Sequence, residues 1–454
     1  MIHNELSALA DASIDDLAYT AVFSSDAATK AEARRQIHLR ARQSGAVSTS
    51  ILPLYRALGN GEIARKFTVP AFNIRSLTYD VARALFRAAM KHDVGPFIFE
   101  IARSEIGYTE QRPGEYAACV LAAAIAEGYK GPVFIQGDHF QASHKKWSTP
   151  DGKQAEIKAL ESLIDEAIAA EFYNIDIDTS TLVDLDFETR DEQQRETYTY
   201  TAHFTKYIRD RQPEGMHISI GGEIGEVGKY NTQPDEVRAY IDGVKRALGG
   251  DPGMAKISVQ TGTSHGGVPM ADGSIAEAKI DFDVLRETTR ICREEYGIAG
   301  SVQHGASTLP EEVFNEFPEN DAVEIHLATG FQNMILDADS LPAAMKGEIR
   351  DFCFANCADE RKSGETDEQF VYKTRKKALG PFKQRLWEMP ESEKGPILDA
   401  IEKKFEFLMD KLGVFGTRDL IEQYVPVANT ALPEYAAASA ELTAAATVDP
   451  NEGE

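Results

Sequence analysis

The chain has 454 residues, 43% hydrophobic and 27% charged, which is enough apolar material for a full core in one large domain or in two or three smaller ones. Its 48 lysines and arginines stand against 73 acids, a formal charge of −25 that repels nucleic acid and anionic membrane and argues against both as partners. The four cysteines (Cys119, Cys292, Cys353, Cys357) show no strong ligand spacing, the acidic start MIHNELSALADASIDDLAYT has no secretion-signal pattern, and no apolar run nears the ~18 residues of a membrane helix, so a cytoplasmic protein is expected.

Residues 1–60 read as a polar helical extension, clearest in ATKAEARRQIHLRARQ. From residue 61 to 335 short apolar runs alternate with amphipathic helices. The strand candidates are TVPAFNI, PFIFEIA, PVFIQGD, FYNIDID, HISIGGEIG, KISVQTG, SVQHGA and AVEIHLAT. Helices such as YDVARALFRAAMKH, EYAACVLAAAIAEG, IKALESLIDEAIAA and DFDVLRETTRICREEYG separate them. Eight strands alternating with helices, with no hairpin signal between them, predict an α/β fold of the (β/α)8 TIM-barrel type. An open doubly wound sheet is the alternative, but no GxGxxG fingerprint opens a first strand–helix turn. GGEIGEVG is glycine-rich, yet Glu223 and Glu226 would repel a pyrophosphate. Residues 336–429 read as a C-terminal helical region that includes KGPILDAIEKKFEFLMDKLG, and 430–454 as a flexible acidic tail. Cys353 and Cys357, one helical turn apart, read as packing residues.

Three histidines close strand-like runs beside glycines: His139 in FIQGDHF, His265 in SVQTGTSHGG and His304 in SVQHGAS. Strand C-terminal ends of a parallel barrel meet at one mouth, so ligands far apart in sequence can share one ion. Three protein ligands are the set a catalytic zinc uses, because they leave a coordination position open. In order, the strand ends supply Asn73, Glu100, Asp138 with His139, Asp178, Glu223, His265, His304 and His326. So many ionisable groups need a metal, a partner or solvent, since unpaired buried charge costs several kcal/mol per ion. The bland alternative is a set of separate hydrogen-bonded loop starts. Adjacent residues of a regular strand face opposite sides, so the chain must bend after Gly137 if Asp138 and His139 are both to reach the mouth.

From about residue 68 to 335 these motifs, in this order, resemble the class II metal-dependent fructose/tagatose-bisphosphate aldolases. VPAFNI is similar to the opening strand, QGDHF to the Asp-His pair, and FYNIDIDTSTL to the strand with an Asp and a Ser. ISIGGEIGEVG resembles the Glu-x-Gly segment, TGTSHGG and QHGASTLPEE the second and third histidine loops, and EIHLATGFQ the closing strand. The resemblance implies a cytoplasmic lyase of carbohydrate metabolism, cleaving a phosphorylated ketose such as fructose or tagatose bisphosphate to dihydroxyacetone phosphate and an aldehyde. It implies zinc or another divalent metal on His139, His265 and His304, with Asp178 as a further ligand, and allows a monovalent cation as a second cofactor. Asp138 is then the proton-transfer group and Glu223 a second catalytic group, although Asp178 and Glu223 could equally orient histidines. Asn73, Gly266, Gly267, Gly305, Ser307, His326 and Thr329 are assigned to the phosphorylated sugar, with the glycines open to a second reading as tight-turn residues. A homo-oligomer, dimer or tetramer, is expected.

The departures fall on the substrate rim. His326 stands where the family has asparagine, Ala328 where it has aspartate, and Ala102 where a serine holds the far phosphate. A metal-dependent sugar epimerase using the same retro-aldol step and a non-catalytic partner subunit are therefore the alternatives, the latter disfavoured by the complete histidine set. Arg375 and Lys376 in YKTRKKALGP are the first cationic candidates to replace the missing serine.

Overall fold

The computed structural model describes residues 9–224, 230–262, 280–307 and 309–426. Among the described residues nine strands occur: β1 (Ala46–Ser48), β2 (Val69–Asn73), β3 (Ile98–Ala102), β4 (Gly131–Gln141), β5 (Asn174–Asp178), β6 (Ser219–Glu223), β7 (Lys256–Ser258), β8 (Ser301–Gln303) and β9 (Glu324–Leu327). From β2 to β9 each strand pairs in parallel with the next, and β9 pairs back to β2, with Val69 opposite Glu324 and Ala71 opposite His326. The ring is closed: an eight-stranded TIM barrel, as expected. The residues predicted to lie on strands do so because β-branched and aromatic side chains fill both faces of a sheet that has helices outside and packed side chains inside.

One element differs from expectation. β1 lies within the segment read as wholly helical and pairs with the start of β4, Ala46 opposite Gly131. Three residues, AVS, carry too little pattern to be read as a strand, and their partner is the start of β4, residues 131–133, which precedes the β4 pairing with β3. Around β1 the extension forms helices Ile14–Phe23, Ala27–Ser44 and Leu52–Gly59. The first two pack against helix Pro113–Ala126. That explains an odd sequence: PGEYAACVLAAAIA is apolar nearly all round because the barrel covers one side and the extension the other. His38 fastens the extension through Nδ1, 2.7 Å from Glu171 Oε2 and fully buried.

Beyond the barrel, helix Glu391–Lys411 lies on helices Thr78–Lys91 and Thr329–Leu336. Its Phe405 ring sits 4.8 Å from those of both Phe72 and Phe331, a T-shaped and a tilted contact that tie this helix to the β2 and β9 side of the barrel. Cys353 and Cys357 pack with Phe370 in a small satellite core. Among the described residues no helix is long and apolar enough to cross a membrane.

Candidate active site

The C-terminal ends of the strands bring Asn73, Asp138, His139, His304, Gly305, Ser307, His326 and Thr329 around one pocket. Asp138 and His139 reach it together through a break in β4. The pairing of β4 with β5 shifts register between Gly137 and Phe140, and His139 adopts φ 40°, a left-handed conformation disfavoured for a side chain with a Cβ. Gly137 is required there, since a Cβ would lie 2.5 Å from the Phe140 ring. The bend expected from the QGDHF run is thus a β-bulge carrying a strained histidine, the kind of strain that functional sites hold.

His139 Nε2 lies 2.6 Å from His304 Nδ1, with the rings edge to face at 4.2 Å. Asp138 Oδ1, also buried, is 3.9 Å from the same Nε2 and 3.2 Å from His326 Nδ1. These three residues bring one oxygen and two nitrogens within ion-binding reach of one another. Two imidazoles and a buried carboxylate are a donor set that fits a divalent cation. On the opposite edge of the ring, His139 Nδ1 is 3.0 Å from both Asp178 Oδ2 and Glu223 Oε2. Asp178 also accepts from Ser180 Oγ at 2.6 Å and Gln141 Nε2 at 2.6 Å. Burial works to raise the Asp178 carboxyl, but the hydrogen bond and charge of His139 outweigh it and hold the group below the usual range. Glu223 has fewer donors, and burial beside the Asp178 charge pushes it up to about 7. His304 Nε2 completes its environment 3.1 Å from Ser258 Oγ. His265, Gly266, Gly267 and Thr308 lie outside the described residues.

Below the pocket, strand-end reading alone missed a buried ionic layer. Lys256 is 1% exposed, and its ammonium donates to Gln136 Oε1 at 2.8 Å, to Asp176 Oδ2 at 2.9 Å and to Glu324. Tyr55, from the N-terminal extension, also donates to Glu324. Burial raises the Glu324 carboxyl, but Lys256 and His326 prevail and hold it at about 2, while burial dominates at Asp176 and pushes it up to about 6. His326 joins this layer to the site: its ring stacks on His304 at 4.1 Å, Nε2 is 2.7 Å from Glu324 Oε1, and Nδ1 is 3.1 Å from Glu100 Oε2 and 3.2 Å from Asp138 Oδ1. Burial opposes a charge on His326, but Glu100 and Asp138 overcome it and hold its pKa well above the usual value. The signal for this layer was present in the sequence as polar residues two apart: Gln136 and Asp138, Asp176 and Asp178, Glu324 and His326, each pair sharing one strand face.

The rim holds two further residues for which the sequence carried no signal, Arg75 and Glu105. Arg75 Nε donates to Glu105 Oε1 at 2.8 Å and Nη1 to Gln332 Oε1 at 3.1 Å, with Thr329 Oγ1 at 3.5 Å. Arg375, a candidate cation, is instead held outside by Asp337 and by Asn333 at 2.8 Å. Lys376 stands behind the rim, 5.6 Å from the Tyr108 ring centre, and burial together with the Arg75 charge pulls it down to about 7. Ser307 Oγ accepts from Gly330 N at 3.1 Å, and Gly305 takes φ 68°, which suits its glycine.

The sequence matches the model of the family described as fructose-bisphosphate aldolase class-II over residues 60–384, well over half of the chain. The chain belongs to the class II fructose-bisphosphate aldolase family. Among solved structures, one described as "a probable tagatose 6 phosphate kinase from Sinorhizobium meliloti" aligns with TM-score 0.51 and 16% identity over 79% of this chain and 98% of its own, which supports the barrel fold. The YdjI aldolase from Escherichia coli K12 aligns at TM-score 0.45 and 14% identity over 82% of this chain and 99% of its own. A fructose-bisphosphate aldolase from Campylobacter jejuni gives 0.46 and 17% over 82% and 97%. No curated protein matches. As a class II aldolase family member, the chain has the fold of a lyase family whose members are typically metal-dependent.

Proposed function

We propose that this protein is a divalent-metal-dependent aldolase, zinc being the expected ion, that reversibly cleaves a phosphorylated ketose to dihydroxyacetone phosphate and an aldehyde. The observation that carries the reading is the convergence of His139, His304 and Asp138 at the mouth of a barrel of this family. His139 and His304 hold the ion, with His265 as third ligand. When bound, the ion polarises the carbonyl and adjacent hydroxyl of the ketose and stabilises the negative charge left when the C–C bond breaks.

The chain's own groups do the rest. Asp138, kept ionised against its burial by the neighbouring His326, takes the proton from the hydroxyl beside the breaking bond. Asp178 orients His139 from Nδ1, so its role is that of a carboxylate fixing a ligand's tautomer and not of a ligand itself. Glu223, on the same Nδ1 edge and poised near neutrality, carries the proton exchanged at the carbon. Gly305, Ser307 and Thr329 receive one phosphate, Asn73 lines the sugar path, and His326 holds the ionised Asp138 in place from below.

Product analysis with a panel of ketose phosphates tests this. The metal-loaded enzyme should release dihydroxyacetone phosphate from at least one of them. A rearranged sugar without free fragments would show an epimerase, and no turnover of any member would remove the catalytic reading.

A further inference from the structure

We infer that Glu105 decides how many phosphates the substrate carries: its carboxylate occupies an anion receptor in the pocket wall formed by β2 and β3, and so selects ketose monophosphates with an uncharged far end. The inference rests on the aldolase reading and adds to it a residue that sets specificity.

Four nitrogen groups point at this one carboxylate. Arg75 approaches Oε1 with Nε at 2.8 Å and Nη2 at 2.6 Å. Asn73 Nδ2 and the Ala102 backbone N–H both donate to Oε2 at 2.7 Å. A guanidinium, an amide and a main-chain N–H converging in a pocket wall are the donors that recognise a phosphate or carboxylate group. Here the protein supplies the anion itself. Glu105 is 3% exposed and lines the same pocket as Asp138, His139 and His304. With Arg75 neutralised and every one of these donors engaged, an incoming second phosphate meets a like charge and no donor in return. Specificity of this kind comes as much from repelling the wrong group as from binding the right one.

A hydroxyl fares differently at the same wall. Asn73 Oδ1 is buried and, among the described residues, has no hydrogen-bond partner, so it can accept from a substrate hydroxyl. The carboxylate can accept a further hydrogen bond from a hydroxyl, and neither contact requires charge. Ala102 leaves the space open. The wall therefore reads a polyol end.

The test compares wild type with Glu105→Ala and the near-isosteric Glu105→Gln, each checked for melting temperature and metal content. For each protein kcat/KM is measured with fructose 1-phosphate and with fructose 1,6-bisphosphate, and inorganic phosphate is titrated by calorimetry. Wild type should prefer the monophosphate, and an equal or better kcat/KM with the bisphosphate would overturn the inference. Emptying the receptor should raise the bisphosphate-to-monophosphate ratio by about 10-fold or more. It should also create a phosphate site that disappears again in Glu105→Ala/Arg75→Ala. A ratio moved by less than about 3-fold in both variants, with phosphate binding unchanged, would overturn the inference and leave Glu105 as a brace for Arg75. If neither sugar is cleaved by any of the proteins, the ketose phosphate panel decides the aldolase reading separately, and the phosphate titration alone decides the receptor: a new site upholds it and its absence overturns it.

Discussion

Replacing Lys256 by methionine should show how far the site depends on the ionic layer beneath it. The ammonium is essentially inaccessible and is the hydrogen-bond donor to Asp176 Oδ2, whose other oxygen is already buried without a partner among the described residues. Methionine roughly fills the stem and removes the charge, so the loss is that of one member of a buried ion pair, about 3–5 kcal/mol. The sign with pH follows from Asp176. Its folded pKa is already raised to about 6 with Lys256 present, and removal of the cation raises it further. A carboxyl raised on folding contributes stability below its unfolded pKa and loses it as pH rises through the folded value. The deficit of Lys256→Met relative to wild type should therefore already be present near pH 5.5, where the ionised Glu324 loses its cation, and be clearly larger near pH 8, where Asp176 adds its share. Chemical denaturation at the two pH values measures it, and Asp176→Asn/Lys256→Met should recover a large part of the deficit at pH 8 because the two sites couple. A deficit below about 1 kcal/mol at pH 8, or one equal at both pH values, would refute the reasoning.

His304→Ala should lose most of about one tightly bound divalent ion per chain, as read by elemental analysis, and equal metal in both proteins would take His304 out of the site. Asp138→Ala should keep the ion yet lose roughly 10²–10⁴ in turnover; a parallel loss of metal would make Asp138 a ligand instead. Asp178→Asn should weaken metal binding about 10- to 100-fold through misorientation of His139, measured by competition with a chelator, and unchanged affinity would deny it that role.

The barrel was legible because each strand is a β-branched or aromatic run ended by glycine or a polar residue, and each intervening helix has one apolar face. β1 was not, because its pairing with Gly131–Val133 is tertiary and leaves no periodicity in three residues. The meeting of Asp138, His139, His304 and His326 at one mouth followed from parallel topology once the strands were read. The depth of His326 did not, because stacking on His304 and contact with Glu100 depend on register around the closed ring. Arg75 and Glu105 were invisible for a similar reason. They sit on the two segments that follow β2 and β3, and only the parallel pairing of these two strands makes the segments neighbours.

The central claim, that the site generates and reprotonates the carbanion equivalent of dihydroxyacetone phosphate, can be tested without knowing which aldehyde completes the sugar. Metal-loaded enzyme incubated in D2O with dihydroxyacetone phosphate alone should exchange one hydrogen at the hydroxymethyl carbon, visible by proton NMR, with the rate falling sharply in Glu223→Gln and much less in Asp138→Ala, because Asp138 acts on the hydroxyl. Absence of exchange in the metal-loaded wild type would contradict the account.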